Sequence, residues 1–220
     1  MRFSPVLERM PLRPLRCSWH TARMPRPTCP RCQRPLSRCL CALIPDLDSQ
    51  TRVLILQHPS ETAHALNTAR LAALGLRNAE LQIGEVFDQL SQWLALPGYR
   101  ACLLFPGDEA IALQPCQADE LPLLLVVPDG TWRKARKLLH LNPLLAALPR
   151  VSLSAAPTSR YRLRKAPEAG ALSTIEAVVS ALETVEAPAS FQALLRPFDA
   201  LIDGQIAAMG EHTYRRNHGG

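Results

Sequence analysis

The stretch VVPDGTWRKARKLLHLNP, residues 126–143, joins an apolar run to a cationic segment through an acidic turn. The apolar run ends at Pro128 and is followed at once by Asp129, Gly130, Thr131 and Trp132. Four cations then come within five residues: Arg133, Lys134, Arg136 and Lys137. A strand that stops at an acidic turn and leads into a basic helix is typical of a functional site, since ligands bind beyond the carboxyl ends of parallel strands.

The rest of the chain alternates strand and helix patterns. Strands are predicted over 51–57, 79–83, 101–105, 123–127 and 150–153, and helices over 63–76, 131–141, 172–185 and, broken at Pro197, 191–209. The runs 101–105 and 123–127 are apolar throughout, as in strands buried on both faces of a parallel sheet. Ser173 and Glu176 have the spacing of a capping box. This order predicts an α/β fold with a mostly parallel sheet, and no GxGxxG or P-loop pattern follows a strand.

Positive charge is segregated along the chain. Residues 1–38 hold nine Arg and one acid, and residues 133–165 hold nine cations and no acid, although the net charge is only +6. Arg outnumbers Lys by 22 to 3, and Arg is the side chain suited to bidentate phosphate contacts. The segregation favours a nucleic-acid-binding surface, and two solvated basic faces are the alternative.

Four of the seven cysteines cluster in CPRCQRPLSRCLC, at Cys29, Cys32, Cys39 and Cys41. A CxxC turn followed by a CxC pair can place four thiolates around one zinc ion, each about 2.3 Å from the metal. A disulfide pair and a redox pair are the alternatives. No secretion signal is recognised, and Pro30 and Pro35 oppose the helix that a redox CxxC usually opens. A structural zinc site is therefore the prediction, because four thiolates leave no open coordination position.

DGTW after an apolar strand resembles the signature of the DTW-domain family, the tRNA-uridine aminocarboxypropyltransferases. Five further stretches resemble family motifs in the same order: CPRC with CLC, QHPSE with NTARLAALGL, LLFPG, SRYRLRKAP and GALSTIEA. The resemblance covers about residues 29–209 and leaves 1–28 outside the pattern. It implies a fold related to the SPOUT methyltransferases, with a C-terminal trefoil knot.

The resemblance also implies an activity. Such enzymes move the 3-amino-3-carboxypropyl group of S-adenosylmethionine to N3 of a uridine in tRNA, in the variable loop for bacterial members, and release methylthioadenosine. A SPOUT-type RNA methyltransferase and a non-enzymatic zinc RNA-binding protein are the alternatives. The expected partner is tRNA, and the expected cofactors are S-adenosylmethionine and a structural zinc.

We expect four segments along the chain: a basic, disordered extension over 1–28, a cysteine module over 29–45, a DTW α/β catalytic domain over 46–210 and a tail over 211–220. No apolar run is long enough to span a membrane. The N-terminus lacks the apolar core of a secretory signal, although its Arg-rich composition overlaps with that of transit peptides. A cytoplasmic protein is therefore expected.

Asp129 is the candidate acceptor for the proton on uridine N3, and capping of the helix that begins near Thr131 is its alternative role. Trp132 is expected either to stack on a base or to belong to the core. The expected catalytic group is thus Asp129, Thr131 and Trp132. Backbone N–H groups at the Ser173–Thr174 helix start are expected to face the amino-acid end of the cofactor. The full set of expected cofactor residues is Phe105, Pro106, Gly107, Val127, Pro128, Gly130, Leu172, Ser173 and Thr174.

Three features are expected to contact RNA. Arg160, Arg162 and Arg164 alternate, so in an extended segment they share one face. A second face combines Arg133, Arg136 and Lys137 by helical spacing. His58 follows a strand end directly. The alternatives are a solvated surface for the cations and a structural histidine for His58.

Overall fold

One six-stranded parallel sheet organises the part of the chain that this computed structural model describes, residues 27–154, 158–163 and 171–218. The strand order is β2-β1-β5-β3-β6-β4, and every neighbouring pair is parallel. The predicted α/β class with a parallel sheet is confirmed. The strands are β1 (Arg52–Gln57), β2 (Ala79–Ile83), β3 (Arg100–Leu104), β4 (Ile111–Ala112), β5 (Leu123–Asp129) and β6 (Arg150–Ser152).

Seven α-helices accompany the sheet in the described residues. They are α1 (Ala69–Gly75), α2 (Leu90–Leu94), α3 (Trp132–Leu141), α4 (Pro143–Ala146), α5 (Thr174–Val185), α6 (Arg196–Met209) and α7 (Glu211–His218). The break expected around Pro197 is a 3-10 turn, Gln192–Leu195, after which the proline occupies the first turn of α6, where its missing N–H costs nothing. The expected tail contains α7. No described helix has the length and apolar character needed to cross a membrane.

The predicted helix over 63–76 is wrong in its first half. It ends at Gly75 as expected but begins only at Ala69, because residues 61–67 form successive turns instead. The N–H of His64 donates to the carbonyl of Glu61, and the N–H of Asn67 donates to the carbonyl of His64, each at 3.0 Å. We call residues 61–67 the pocket loop.

The sheet buries both of its faces, which explains the uninterrupted apolar runs. Side chains alternate along a strand, so β1 and β5 send one set of residues to each side. On one side Val53, Ile55, Leu125 and Val127 pack with α1, α5 and α6. On the other side Leu54, Leu56, Leu124 and Val126 pack with α2, α3 and α4.

The pairing of β1 with β5 brings polar residues together at the carboxyl edge of the sheet. Gln57 and Asp129 are register partners at the ends of the two strands. The N–H of His58 donates to the carbonyl of Asp129 at 3.0 Å, which extends the ladder one step further. Asp129 therefore has its backbone fixed on a central strand rather than on a free loop.

Candidate active site and metal centre

The four clustered cysteines come together as predicted. Their sulfur atoms all lie within 4.8 Å of one another. The Sγ atoms of Cys29 and Cys41 are 3.6 Å apart, and those of Cys32 and Cys39 are 3.8 Å apart. Four thiolates about 2.3 Å from a tetrahedral zinc would be separated by about 3.8 Å. The four cysteines are thus grouped closely enough to hold a zinc ion.

A tight turn positions Cys29, the first of these cysteines. The N–H of Gln33 donates to the carbonyl of Cys29 at 2.8 Å, and the N–H of Cys29 donates to the carbonyl of Arg34 at 2.7 Å. Backbone N–H groups of Cys32 and Arg31 lower the pKa of the Cys29 thiol to about 6. Because the thiolate is the form that binds metal, this turn favours metal binding.

Asp129 is a buried carboxylate held at both oxygens. It is 8% exposed. Gln57 Nε2 donates to its Oδ2 at 2.7 Å, and Thr174 Oγ1 donates to its Oδ1. Burial raises the pKa of Asp129, and the two hydrogen bonds oppose that rise in part. A carboxylate with a raised pKa is a stronger proton acceptor than an ordinary one.

Thr131, not Asp129, caps α3. Its Oγ1 accepts from the N–H of Lys134 at 3.4 Å, and its backbone is extended. The capping alternative for Asp129 is therefore wrong, since that carboxylate is turned towards Gln57 and Thr174. Gly130 lies between these two residues, with a φ of +152° that side chains rarely adopt. A Cβ there would lie only 3.0 Å from the Cβ of Lys134, which is closer than ordinary contact.

An apolar pocket of about 240 Å³ opens beside this turn, between the ends of β3 and β5 and the start of α5. Trp132 lines it, with its ring 5.6 Å from that of Phe105 in an edge-to-face arrangement. Seven of the nine residues expected to bind the cofactor also line it: Phe105, Pro106, Val127, Pro128, Gly130, Leu172 and Thr174. Most of the residues expected to bind the cofactor therefore lie around one pocket.

The other two expected cofactor residues lie elsewhere. Gly107 is exposed, and a Cβ on it would lie 3.7 Å from the guanidinium of Arg150 rather than in the pocket. Ser173 donates its N–H to the carboxylate of Glu176 at 2.9 Å, which confirms the predicted capping box. That N–H is already used, so it is not free to hold the amino-acid end of a ligand.

A second, polar pocket of about 370 Å³ adjoins the first. Gly130, Leu172 and Thr174 belong to the walls of both pockets. Asp129 faces the polar pocket, whose other polar lining residues are Glu61, His64, Asn67, Thr68, Thr131, Tyr161 and Ser173. The carboxylate therefore lies where an apolar and a polar pocket meet.

Sequence reasoning missed three residues around Asp129. Gln57 is wholly buried and orients the carboxylate, and its position as the last residue of a predicted strand was the available signal. Glu61 pairs with Lys134 at 2.6 Å, and its negative charge contributes to the raised pKa of Asp129. The electrostatic interaction with His64 lowers the pKa of Asp129 instead. Neither residue carries a local sequence signal.

The residues expected to contact RNA differ in their surroundings. His58 is buried, its Nε2 lies 2.8 Å from Glu85 and its Nδ1 accepts from the N–H of Ser60, which favours the structural alternative. Arg160 and Arg162 both pair with carboxylates of α6, Asp199 and Asp203. Arg164 lies outside the described residues.

The cations of α3 are more open. Arg133 and Arg136 are exposed and form no ion pair with any residue that the structure describes. Lys137 is exposed too, but it binds Glu85 at 2.6 Å. Two of the three expected cations on this helix are thus available to an anionic partner.

The fold and site define an α/β protein with a buried carboxylate between two pockets, at the carboxyl edge of a parallel sheet. Residues 26–206 match the DTW domain profile. The chain therefore belongs to the DTW-domain family.

The similar curated proteins carry one kind of name. The chain is 34% identical to tRNA-uridine aminocarboxypropyltransferase 2 of Macaca fascicularis, over 88% of this chain and 68% of the relative. It is 32% identical to the protein of the same name from Drosophila melanogaster, over 82% of this chain and 76% of the relative. Identity to tRNA-uridine aminocarboxypropyltransferase A of Arabidopsis thaliana is 28%, over 73% of each. No solved structure is significantly similar to the chain.

The cysteine geometry predicts one zinc ion per chain. Cys39→Ser should lose the metal and unfold the cysteine module, because structural zinc contributes roughly 10 kcal/mol or more in small sites. Elemental analysis of the purified protein measures the metal. Cys116→Ser, outside the cluster, is the control and should keep it. Wild-type protein with neither zinc nor iron would contradict the assignment.

The raised pKa of Asp129 predicts a stability difference that depends on pH. A folded-state pKa above the unfolded value stabilises the fold below about pH 4, and that stabilisation is lost as pH rises through the folded pKa. Asp129→Asn cannot ionise, so its stability relative to wild type should increase across that interval. Urea unfolding at a series of pH values measures the difference. The exposed Asp88→Asn is the control, and a difference that is independent of pH would refute the argument.

Proposed function

We propose that this chain is a tRNA-uridine aminocarboxypropyltransferase, which moves the 3-amino-3-carboxypropyl group of S-adenosylmethionine to N3 of a uridine in the tRNA variable loop. The observation that carries this proposal is Asp129, a buried carboxylate with a raised pKa at the junction of two pockets. The names of the relatives support the same reaction. We place the reaction in the cytoplasm.

The two pockets divide the substrates between them. Aliphatic and aromatic side chains such as Phe105, Val127 and Trp132 suit the adenine and thioether parts of the donor. Carboxylate, imidazole and hydroxyl groups suit a uracil, which offers one N–H and two carbonyls. Because the pockets share Gly130, Leu172 and Thr174, donor and acceptor would meet beside Asp129.

Asp129 would act as the general base. Its carboxylate takes the proton from uridine N3, which is a weak nucleophile while protonated. Gln57 and Thr174 fix the direction of the carboxylate, so its free lone pairs meet the substrate in one orientation. When bound, S-adenosylmethionine would supply an electrophilic carbon, to which N3 would bond as the carbon–sulfur bond breaks, with methylthioadenosine as the leaving group. The proton then departs from Asp129 through the polar pocket.

Two finer features belong to the same proposal. The four cysteines would hold a structural zinc, because four sulfur ligands leave no coordination position for a substrate. The chain would also have the SPOUT-type trefoil knot in its C-terminal part. The crossover order of the sheet, with β5 between β1 and β3, supports that architecture.

A SPOUT-type methyltransferase would use the same donor but add only a methyl group. Mass spectrometry of tRNA nucleosides from cells with and without this chain separates the two activities, because an aminocarboxypropyl group is much heavier than a methyl group. We expect loss of an aminocarboxypropyl-uridine in the cells without it. Loss of a methylated nucleoside instead would reject the proposed transfer.

Asp129→Asn should transfer the group at least about 10²-fold more slowly, the usual scale for loss of a general base. The shape is retained, since the Gln57 amide can turn its buried, unpartnered Oε1 towards the new amide. Methylthioadenosine release in single-turnover reactions measures the rate. Asp88→Asn is the control for an exposed acid. A rate close to wild type would show that Asp129 is not the base.

The exposed face of α3 is the best candidate for tRNA phosphate. Arg133 and Arg136 follow Thr131 and Trp132, which line the two pockets, so bound tRNA would pass close to them. Arg160 and Arg162 instead bind α6, which favours a structural contribution from them.

Arg136→Ala should weaken tRNA binding at low salt. It should also reduce the slope of log affinity against log salt by about 0.7–0.9, the value for one phosphate contact. Filter binding across a salt series measures both. Arg77→Ala, which precedes β2 and so lies at the opposite edge of the sheet, is the matched control. An unchanged slope for Arg136→Ala would remove this face from the interface.

A further inference from the structure

Arg34 connects the cysteine module to the active site. Its side chain reaches from the CxxC turn to the pocket loop, where Nη1 donates to the carbonyl of Ala65 and Nη2 to the carbonyl of Asn67, both at 2.8 Å. Its Nε is buried and has no partner among the described residues. Arg34 is half-buried, and removing part of a guanidinium from water is costly unless its hydrogen bonds are satisfied. The two charged hydrogen bonds to the loop offset that cost.

Lys134 holds the first residue of this loop, Glu61, at 2.6 Å, but Arg34 holds the later residues, Ala65 and Asn67. The loop contains no strand pairing. Its backbone–backbone hydrogen bonds close single turns, with His64 and Asn67 as the donors. Asn67 Nδ2 adds one bond to the carbonyl of Glu61 at 3.1 Å. Four of its residues nevertheless line the polar pocket beside Asp129: Glu61, His64, Leu66 and Asn67.

Arg34 is also tied to the metal ligands. Its carbonyl accepts from the N–H of Cys29, and it lies two residues after Cys32. The position of its backbone therefore depends on the turn that carries two of the four sulfur ligands. A shift of this turn would move the guanidinium, and with it the carbonyls of Ala65 and Asn67.

We propose that Arg34 is a positioning residue that couples the cysteine module to the polar pocket and sets that pocket's affinity for tRNA. The assignment of tRNA to this pocket rests on the proposed function, whereas the coupling of module to loop does not. Arg34 touches no reacting atom. Its removal should therefore affect tRNA binding and leave the donor pocket, which contains no pocket-loop residue, almost unchanged.

The experiment compares Arg34→Gln with Arg31→Gln, an exposed arginine of the same turn that makes none of these loop contacts. Both variants lose one positive charge, so any purely electrostatic effect appears in both. For Arg34→Gln the Kd and KM for tRNA should rise about tenfold beyond the control, the scale of a lost charged hydrogen bond. The KM for S-adenosylmethionine should stay within about twofold of the control, since no residue of the pocket loop lines the donor pocket.

Hydrogen exchange supplies a readout that needs no activity. Backbone amides of residues 61–67 should exchange faster in Arg34→Gln than in Arg31→Gln, while zinc content stays equal. Arg34→Lys retains the charge but offers one ammonium, which cannot span both carbonyls, so it should recover only part of the protection and of the affinity.

Equal exchange and equal tRNA affinity in Arg34→Gln and Arg31→Gln would overturn the proposal. Complete recovery by Arg34→Lys would overturn it too, because charge alone would then suffice. If the wild type transfers no aminocarboxypropyl group, the proposed function fails, and the exchange data still decide whether Arg34 holds the loop.

Discussion

The register of β1 against β5 is the constraint on which the site depends. Gln57 and Asp129 are partners at the ends of two central strands, so their side chains share one face and one level. A slip of one residue would turn one side chain to the opposite face and leave a buried carboxylate without its amide donor. The apolar residues that set this register are those of the two cores, so the packing that stabilises the fold also places Asp129 beside Gln57.

Two buried carboxylates, Glu176 and Asp129, differ in how many of their hydrogen-bond acceptor positions are used. Glu176 is 4% exposed and accepts from the backbone N–H groups of Arg160 and Ser173 and from the hydroxyls of Ser159 and Ser173. A carboxylate has about four acceptor positions, so Glu176 is saturated and ties the segment 158–163 to the start of α5. Asp129 accepts two side-chain hydrogen bonds from the described residues and borders a pocket. Asp129 therefore has acceptor capacity left, as the general base that we propose requires.

The sequence predicts what depends on local pattern. Five strands, to within two residues at each end, the capping box at Ser173 and the four-cysteine cluster follow from periodicity and spacing. The short strand β4 was not predicted. Contacts between distant segments are not predictable in this way. Nothing near Arg160 or Arg162 in the chain indicates that both bind α6, and an alternating basic segment looks the same whether it faces carboxylates or phosphates. The family resemblance identified the reaction, but it did not indicate the Gln57 contact.

The largest error in a predicted helix boundary lies beside Asp129. The helical pattern of 63–76 is real, yet residues 61–67 form turns whose carbonyls at Ala65 and Asn67 bind Arg34 instead of helical N–H groups. The hydrogen bonds from Arg34 outweigh the local preference for a helix, because a charged donor gives stronger hydrogen bonds than a backbone amide. Sequence and structure tend to conflict where function imposes a geometry. The turns place Glu61 and His64 beside Asp129, where a continuous helix would have replaced the loop that lines the polar pocket.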